Sequence, residues 1–555
     1  MAIRQQIGFL FWLILLGGNT FALAQNKVQI QSGFFEKKPE YPNAIIYTKD
    51  SKGQVYMVHE GIKLWCDQAL VYYDSNFVKA YGNVKINQGD TIVLTSTYGD
   101  YNGDTRFAKA TGNVVLTEPA STLKTESLFF DRNEQWAYYN SGGVVQDTSS
   151  TLTSKIGKYY THQKKYEFAD SVVIKSDTYT VYAPQIDFYP ENGHAYLFGD
   201  SKIISETSTV YCKKGFYDTR NNTGDFVQEA RIDYDNKIII GDSIHFKQDS
   251  QFASATNNIK VIDTINKSTL TGHYAEIYKA KDSMFITSRA LVATLHENDS
   301  MYVHADSIKV TGKEKQRIIK AYYKARFFKQ GDSLNNTMSG KSDSLFVDEQ
   351  TGITKLLGTP VLWNGASQMT GDTIHLLKNL LTDKLDSLKV FKNAFLIQKE
   401  KTGYNQMKGE TLIGLFTNNE IDTVYIHKHA QALYYSRDDK DNLTGINLTL
   451  ASSIALYIQA RSLQGIRFFK QVPGKVYPES KFLEEDKQLD GFNWRGAERI
   501  YQITDLFKGK PPPKLPTIKG LQAPPKKWLT LPNSSVEKKA VPSKSKQKKP
   551  KPNAK

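Results

Sequence analysis

The sequence predicts an all-β protein built from short antiparallel strands that stack as repeats. The first observation is a motif of Gly and Asn ahead of an aliphatic strand: Gly82-Asn83-Val84 returns 30 residues later as Gly112-Asn113-Val114. The second is composition, because the chain contains 32 Tyr and 28 Phe and aromatic residues favour strands. The third is an alternation of apolar and polar residues with a period of two, which is typical of half-buried strands.

The Gly motif continues along the chain in weaker copies. Gly142 follows at the same spacing, and looser copies centre on Asp170-Ser171, Gly199-Asp200 and Lys392-Asn393. A unit of this size cannot bury its apolar face alone, so we expect the units to stack into a continuous core. The strands at the two ends would then leave sheet edges that can pair with another chain.

A second motif consists of an acid, a hydroxyl residue and an aliphatic residue. Examples are Glu126-Ser127-Leu128, Asp242-Ser243-Ile244 and Asp372-Thr373-Ile374. Such acids resemble metal ligands, but their repetition at the beginning of strands favours a structural role. The residues that follow, as in Ile244-His245-Phe246, alternate in polarity and predict a half-buried strand.

The positive charge is concentrated at one end of the chain. Residues 509–555 contain 13 Lys and one acid, Glu537, and therefore carry +12 of the formal net charge of +15. The remainder is close to neutral, which excludes a basic nucleic-acid-binding fold across the body. This tail also holds 10 of the 18 Pro, so we predict a disordered cationic segment. It would serve as a solubilising tail or attach weakly to anionic surfaces.

Residues 1–24 are typical of a secretory signal peptide. Arg4 is the only charge, an apolar run covers residues 7–16, and Ala22-Leu23-Ala24 precedes the expected cleavage at Gln25. The alternative is a membrane anchor, but the apolar run is shorter than the ~20 residues that span a bilayer. We therefore expect an exported protein.

Cysteine and histidine usage argues against redox and metal chemistry. Cys66 and Cys212 are the only two cysteines, and the repeat spacing separates them by about five strand layers, upwards of ~20 Å. A disulfide needs Cα atoms within ~7 Å, so we expect two free thiols. His427 and His429 would share one strand face, yet no third ligand stands at a suitable spacing. No protease, nucleotide-binding or hydrolase motif occurs, so the sequence predicts no enzyme, cofactor or metal.

The strand repeat resembles a known family. Residues 108–114, with Gly112-Asn113-Val114, followed by Thr125-Glu126-Ser127-Leu128-Phe129-Phe130, are similar to the paired strands of the OstA/LptA-like proteins of lipopolysaccharide transport. The resemblance is good over residues 28–198 and looser to residue 468. The length and the Lys/Pro-rich tail resemble the OstA-like periplasmic proteins of Bacteroidota. The family implies an open β-jellyroll with an apolar interior that shields acyl chains.

Repeats and composition together predict five segments. Whether the second repeat segment is a separate jellyroll or a continuation of the first is left open. The segments are a signal peptide (1–24), OstA-like jellyroll repeats (25–300), further OstA-like repeats (301–470), an irregular or helical segment (471–508) and the disordered tail (509–555).

The resemblance implies a non-enzymatic periplasmic protein that binds lipopolysaccharide and helps deliver it to the outer membrane. Its partners would be lipopolysaccharide, other transport proteins or copies of itself paired through edge strands, and the periphery of the outer membrane, with no nucleic acid. One alternative is a structural envelope or surface protein that uses the strand array for protein contacts. Another is a β-helix enzyme acting on polysaccharide, which would need a cluster of acids on one face.

Apolar residues at alternating strand positions are the candidates for a lipid-binding lining. Packing of these side chains against each other would explain any one of them equally well. The candidates are Val84, Ile86, Val114, Leu116, Leu128, Phe130, Val172, Ile174, Ile186, Phe188, Ile244 and Phe246.

Overall fold

The computed structural model describes residues 28–518, with gaps at 60, 90, 266, 295–299, 314, 332–336, 383, 418–419, 439, 460–461 and 471–473. The predicted signal peptide and residues 519–555 of the predicted tail lie outside the described residues. The chain forms two compact units, Met1–Val145 and Gln146–Lys555, and each is described by itself. Within the described part of the chain, no helix is long and apolar enough to cross a membrane.

The first unit consists of antiparallel strands. The long strand β7 pairs with β6 over its first half and with β5 over its second half, and β7 to β10 then pair in sequence. A 3-10 turn covers Tyr73–Ser75. The strands are β1 (Gln29–Gln31), β2 (Phe34–Glu36), β3 (Ile45–Thr48), β4 (Val55–His59), β5 (Ile62–Cys66), β6 (Gln68–Tyr72), β7 (Phe77–Gln88), β8 (Ile92–Asn102), β9 (Phe107–Thr117), β10 (Thr122–Asp131), β11 (Trp136–Tyr139) and β12 (Gly143–Gln146), whose last residue lies past the unit boundary.

The second unit is an antiparallel meander in which each strand from β15 to β26 pairs with the next. Its strands are β13 (Thr151–Ser154), β14 (Ile156–Tyr160), β15 (Lys165–Lys175), β16 (Tyr179–Tyr189), β17 (His194–Ser205), β18 (Ser208–Asp218), β19 (Thr223–Tyr234), β20 (Lys237–Lys247), β21 (Phe252–Asp263), β22 (Ser268–Tyr278), β23 (Ser283–Thr294), β24 (Met301–Thr311), β25 (Ile318–Lys329), β26 (Met338–Asp348), β27 (Ile353–Leu357), β28 (Val361–Asn364), β29 (Ser367–Thr370), β30 (Thr373–Lys378), β31 (Leu385–Glu400), β32 (Gly403–Thr417), β33 (Glu420–Arg437), β34 (Leu443–Gln459), β35 (Ser462–Phe469) and β36 (Lys475–Tyr477).

A two-residue corner divides long strands into two halves. In β7 the corner is Gly82 (φ 72°) and Asn83 (φ 44°), and in β15 it is Asp170 (φ 62°) and Ser171 (φ 55°). The pairing register shifts at the same place, between Tyr81 and the residue after Asn83 in β7. Non-glycine residues rarely adopt positive φ, and Asn and Asp tolerate it better than most. The Gly-Asn motif of the sequence is therefore the corner of a bent strand.

The acid of the second sequence motif holds the corner of the neighbouring strand. The side-chain amide of Asn258 donates a hydrogen bond to Asp242 of this motif at 2.7 Å. Asp67, which precedes Gln68 in a looser copy, accepts in the same way from Asn83 at 2.7 Å. Hydrogen bonds from Lys49, then from Gln54 and Asn83, hold the pKa of the Asp67 carboxyl below its usual value. The structural interpretation of the acid motif is confirmed. Among the described residues, no group of three or more His, Cys, Asp or Glu could hold a metal.

The two halves of a strand share one core. Val78 and Ala80 before the corner of β7, and Val84 after it, pack in one cluster with Met57 and Cys66. The core-facing residues lie two apart on each half of the strand. Because the corner contains two residues, even-numbered positions of β7 face the core both before and after it. The predicted all-β jellyroll of stacked antiparallel strands is confirmed in this arrangement.

Two expectations concern the division at residue 300 and the two cysteines. Residue 300 lies between β23 and β24, which pair with each other from Ser283 opposite Thr311 to Thr294 opposite Met301. The ladder therefore runs through that position, with a register shift at the corner between Thr287 and Ala290. The expectation of two free thiols is confirmed, because Cys66 and Cys212 are both buried and unpaired. Burial raises the pKa of each thiol to about 12.

After β36 the chain returns across the sheet as a segment of short 3-10 turns, residues 478–518, which we call the strap. Two fully buried glutamines take their hydrogen bonds from its backbone. Gln406 donates to the carbonyl of Lys487 at 2.7 Å and accepts from the N–H of Leu489 at 2.8 Å. Gln368 likewise bonds the N–H of Arg495 at 2.7 Å. The turns are Glu479–Lys481, Glu484–Lys487, Gly496–Glu498 and Ile503–Phe507.

The strap continues as far as β21. Arg326 of β25 donates to the carbonyls of Leu506 and Lys508 at 2.9 and 2.8 Å. Asn257 of β21 donates to the carbonyl of Pro516 at 2.8 Å. Residues 509–518, the first part of the predicted tail, therefore lie against the sheet, because the Pro516 carbonyl meets a buried side-chain donor and Lys510 donates to His304 and Asp306.

Between these polar contacts, apolar side chains of the strap pack against the sheet. Phe482 and Leu489 join one cluster with Phe395 and Leu433 of the long strands. Further along, Ile500 and Leu506 pack against Phe328 of β25 in a second cluster. Burial of each such side chain contributes roughly 1.5–3 kcal/mol, so the strap is an integral layer of the second unit.

The corner predicts a graded loss of stability in the first unit. Asn83→Ala removes the hydrogen bond to Asp67 and leaves alanine, which has no side-chain amide, at a positive φ. The free energy of local opening of β7 and β8 should therefore fall by about 1–2 kcal/mol. Asn83→Gly should cost less, because Gly adopts positive φ readily. Hydrogen exchange of β7 and β8 measures both. Lys124→Ala, an exposed change in the same unit, is the control, and equal effects for Asn83→Ala and Lys124→Ala would contradict the corner's role.

His304 should make the strap sensitive to acid. Its Nδ1–H donates to the carbonyl of Ala290 at 2.7 Å, and its Nε2 accepts from Lys510 at 3.0 Å. Burial, then the Lys510 cation and Arg326, lower the pKa of His304 to about 4, with Asp306 opposing them. The unfolded chain, with a His pKa near ~6.5, binds the proton more readily. Stability should therefore fall as pH falls from about 6.5 to about 4.

The measurement compares urea unfolding of the second unit at several pH values for the native chain and His304→Gln. Glutamine does not titrate. Between about pH 6.5 and about pH 4 the free energy of unfolding should therefore fall more for the native chain than for the variant, whatever their difference at pH 7. Parallel curves for the two proteins would show that His304 does not set the acid response.

Candidate functional site

Core-facing side chains form continuous apolar rows on both halves of the strands. In the second unit Phe168 lies before the corner of β15 and Ile174 after it. Each stands directly opposite an apolar partner on β16, Ile186 and Val181 respectively. All four are fully buried. Both halves of β15 and β16 therefore present buried apolar side chains that continue from one strand to the next.

The structure places the twelve candidate lining residues on these core-facing rows. Ile86 is partly buried and packs against the core cluster of the first unit. Phe130 is half-buried and pairs with Ala108 and Ala137 on its two neighbouring strands. A role in lining a lipid remains a prediction for all twelve. The other ten are buried: Val84, Val114, Leu116, Leu128, Val172, Ile174, Ile186, Phe188, Ile244 and Phe246.

Sequence reasoning missed a set of core tyrosines. Tyr166 stacks on Tyr159 and on Phe168, with ring centroids 4.3 and 5.3 Å apart. Tyr179 meets Tyr217 edge to face at 5.0 Å, and burial raises the pKa of Tyr179 to about 12. The alternation of core positions could have identified them, because Tyr166 and Tyr179 lie an even number of residues from the aliphatic core positions on the same half of their strands.

A buried ion cluster lies on the face opposite this core. Lys165 contacts Glu167 at 2.5 Å and Asp187 at 3.3 Å, and the two acids stand directly opposite each other on β15 and β16. Burial raises the pKa of Asp187 to about 6, against the opposing influence of Lys165. Since the two carboxylates share a single lysine, this cluster fixes strand pairing rather than presenting an open ligand site.

One of the two histidines considered as metal ligands lies at a corner. Lys428 (φ 62°) and His429 (φ 52°) form the corner of β33, with buried Ile426 before it and buried Ala430 after it. His427 approaches the hydroxyl of Ser453, 3.3 Å from its Nδ1. That His427 and His429 share a strand face stays a prediction.

The architecture defines a class of protein: a β-jellyroll of bent antiparallel strands around an apolar interior. Residues 35–184 match the family model of OstA-like proteins, and residues 260–379 match that of the LptA/(LptD N-terminal domain) LPS transport protein. These two segments of the chain are thus OstA/LptA-like, as the strand repeat predicted.

One similar structure is LptH, the LptA homologous periplasmic component of the conserved lipopolysaccharide transport device from Pseudomonas aeruginosa. It is 16% identical over 25% of this chain and 82% of that chain, with a TM-score of 0.14. No curated protein matches the chain.

Proposed function

We propose that the protein binds lipopolysaccharide in the periplasm and helps deliver it to the outer membrane, acting as a carrier rather than an enzyme. The observation that carries this proposal is the pair of core-facing apolar rows on the two sides of each corner. Both family matches include strands that contribute to these rows. The acyl chains would lie between the two halves, and the sugar head would remain in water.

The physical case rests on the cost of exposing hydrocarbon. Each CH₂ group left in water costs ~0.8 kcal/mol, so a glycolipid with several acyl chains needs a continuous shield. In the structure Ile186 and Ile244 are fully buried against other apolar side chains. An acyl chain that entered between the halves would exchange protein–protein contacts for protein–lipid contacts, and little hydrocarbon would meet water during the exchange.

Edge strands would supply the partners. β35 lies at the end of the ladder with β34 as its strand partner. Backbone groups on the outer side of an edge strand can pair with a strand of another chain. We propose that other transport proteins, or further copies of this chain, join at such edges and extend the apolar rows.

A photo-crosslinking residue in place of Phe246 tests the binding step in cells. Phe246 faces the core of β20 and is 6% exposed, so the expected result is an adduct with lipopolysaccharide. His245, the next residue on the same strand, points to the opposite face, where its Nδ1 contacts Asp225 at 2.8 Å. The same residue placed at His245 is the matched control and should give no lipid adduct.

Adducts with protein alone at Phe246 would favour a structural envelope role and overturn the binding proposal. Delivery is tested separately by depletion, which should lower surface lipopolysaccharide and weaken resistance to detergent. Normal surface lipopolysaccharide after depletion, together with lipid adducts at Phe246, would keep the binding step and reject the delivery step.

A further inference from the structure

The strap covers only part of one outer surface of the second unit. In β24, Val303 and Ala305 face the core, whereas Tyr302 and His304 alternate with them and meet the strap. We call the surface that carries Tyr302 and His304 the strap face. It consists of the half of each strand that lies on this side of the corners.

The strap face continues past the last described strap residues. Cross-strand pairing carries the row of Tyr302 step by step across β23 to β18 and reaches Ile204 on β17. On β16 to β18 this face presents Tyr182, Ile204 and Tyr211, which are 39%, 37% and 38% exposed. Under the strap, by contrast, Phe328 is 4% exposed. The same face therefore changes from covered to uncovered.

A groove of about 720 Å³ lies on this uncovered part. Two tyrosines and Pro184 form its apolar surface, and the Lys202 ammonium stands 4.9 Å from the centre of the Tyr182 ring. Two acids, Asp200 and Glu229, lie at the corners of β17 and β19. The last described strap contact, Asn257, is itself the corner residue of β21. The groove is therefore aligned with the path along which the strap leaves the described residues.

The length of chain beyond the strap matches the distance to the groove. Between Gln406 on β32 and Asn257 on β21 the strap crosses nine strand steps, about 43 Å at ~4.8 Å per step. The chain advances 27 positions, from Leu489 to Pro516, to do so. The groove on β18 to β16 lies three to five steps further, about 14–24 Å. At the same rate of advance the chain would cross it with roughly residues 525–531.

The composition of that segment fits an aromatic groove. Residues 519–531 contain Leu521, Pro524, Pro525 and Trp528, which continue the series of apolar residues that fastens the strap. Proline-rich segments bind aromatic-lined grooves because their extended conformation is already ordered. The charges of the groove balance, since Lys202 and Lys213 accompany Asp200 and Glu229 and Lys213 pairs with Glu229. Apolar contact therefore carries the fit.

We propose that residues 519–531 continue the strap and occupy this groove, with Pro524, Pro525 and Trp528 against Tyr182 and Tyr211. The proposal goes beyond lipid binding, because it concerns the surface opposite the interior. The proposal also fixes where the cationic end of the chain emerges. The lysine-rich residues 538–555 would extend from the surface of β16 to β18, many strands away from the place where the strap begins.

The test uses the full chain with a photo-crosslinking residue at Tyr211. The expected product is a crosslink to a peptide from residues 519–531, and mixing isotopically labelled and unlabelled chains should show that it forms within one chain. Tyr274 is 36% exposed on the other half of its strand and serves as the matched control, which should not reach this peptide. Crosslinks from Tyr211 to another copy, to lipid or to no peptide at all would overturn the proposal.

A second variant separates docking from mere proximity. Trp528→Ser should reduce the yield of the Tyr211 crosslink at least fivefold, because the largest apolar contact is removed. Lys548→Ser, in the same tail but outside the proposed segment, should leave the yield unchanged. An unchanged yield in Trp528→Ser would show that the tail passes the groove without binding in it.

Discussion

The left-handed corner is the constraint on which the rest of the structure depends. At Gly82 and Asn83, and again at Asn257 and Asn258, the backbone takes a conformation that costs of order 1–3 kcal/mol for an ordinary residue. The cost is offset where an Asn amide meets an acid on the adjoining strand, as Asn393 does with Asp372 at 2.9 Å. Each corner turns its strand without changing which residues face the core. Two apolar half-strands can therefore enclose a common interior.

Much of this could be predicted from the sequence, because the corner leaves a local signature. An Asn at a corner and an acid before a hydroxyl residue mark two positions that meet across one strand pair, as Asn258 and Asp242 do. Parity then identified core residues such as Val172 and Ile186, which the structure buries fully. The burial of the core tyrosines was not predicted, since an amphipathic side chain is equally common at a surface. The corner at Lys428 and His429 was also missed, because these two residues lack the Gly-Asn signature.

The strap could not be predicted, and the reason is physical. Gln406 and Gln368 resemble ordinary surface residues of a strand, and their partners lie 81 to 127 residues away. Nothing local in the sequence indicates that a polar side chain will be buried by a distant segment. An unsatisfied buried amide would cost several kcal/mol, so the backbone groups of Lys487, Leu489 and Arg495 are essential to those positions. The strap thus covers part of one outer face of the second unit with the chain's own backbone.

The central claim is that acyl chains enter between the two halves of the strands. Lipopolysaccharide with a nitroxide on an acyl chain tests it most directly, through broadening of isoleucine methyl signals in the protein. The account predicts strong broadening at Ile186 and Ile244, which face the core, and sharp signals from Ile204 on the opposite face. Broadening at Ile204 with sharp signals from Ile186 and Ile244 would contradict it.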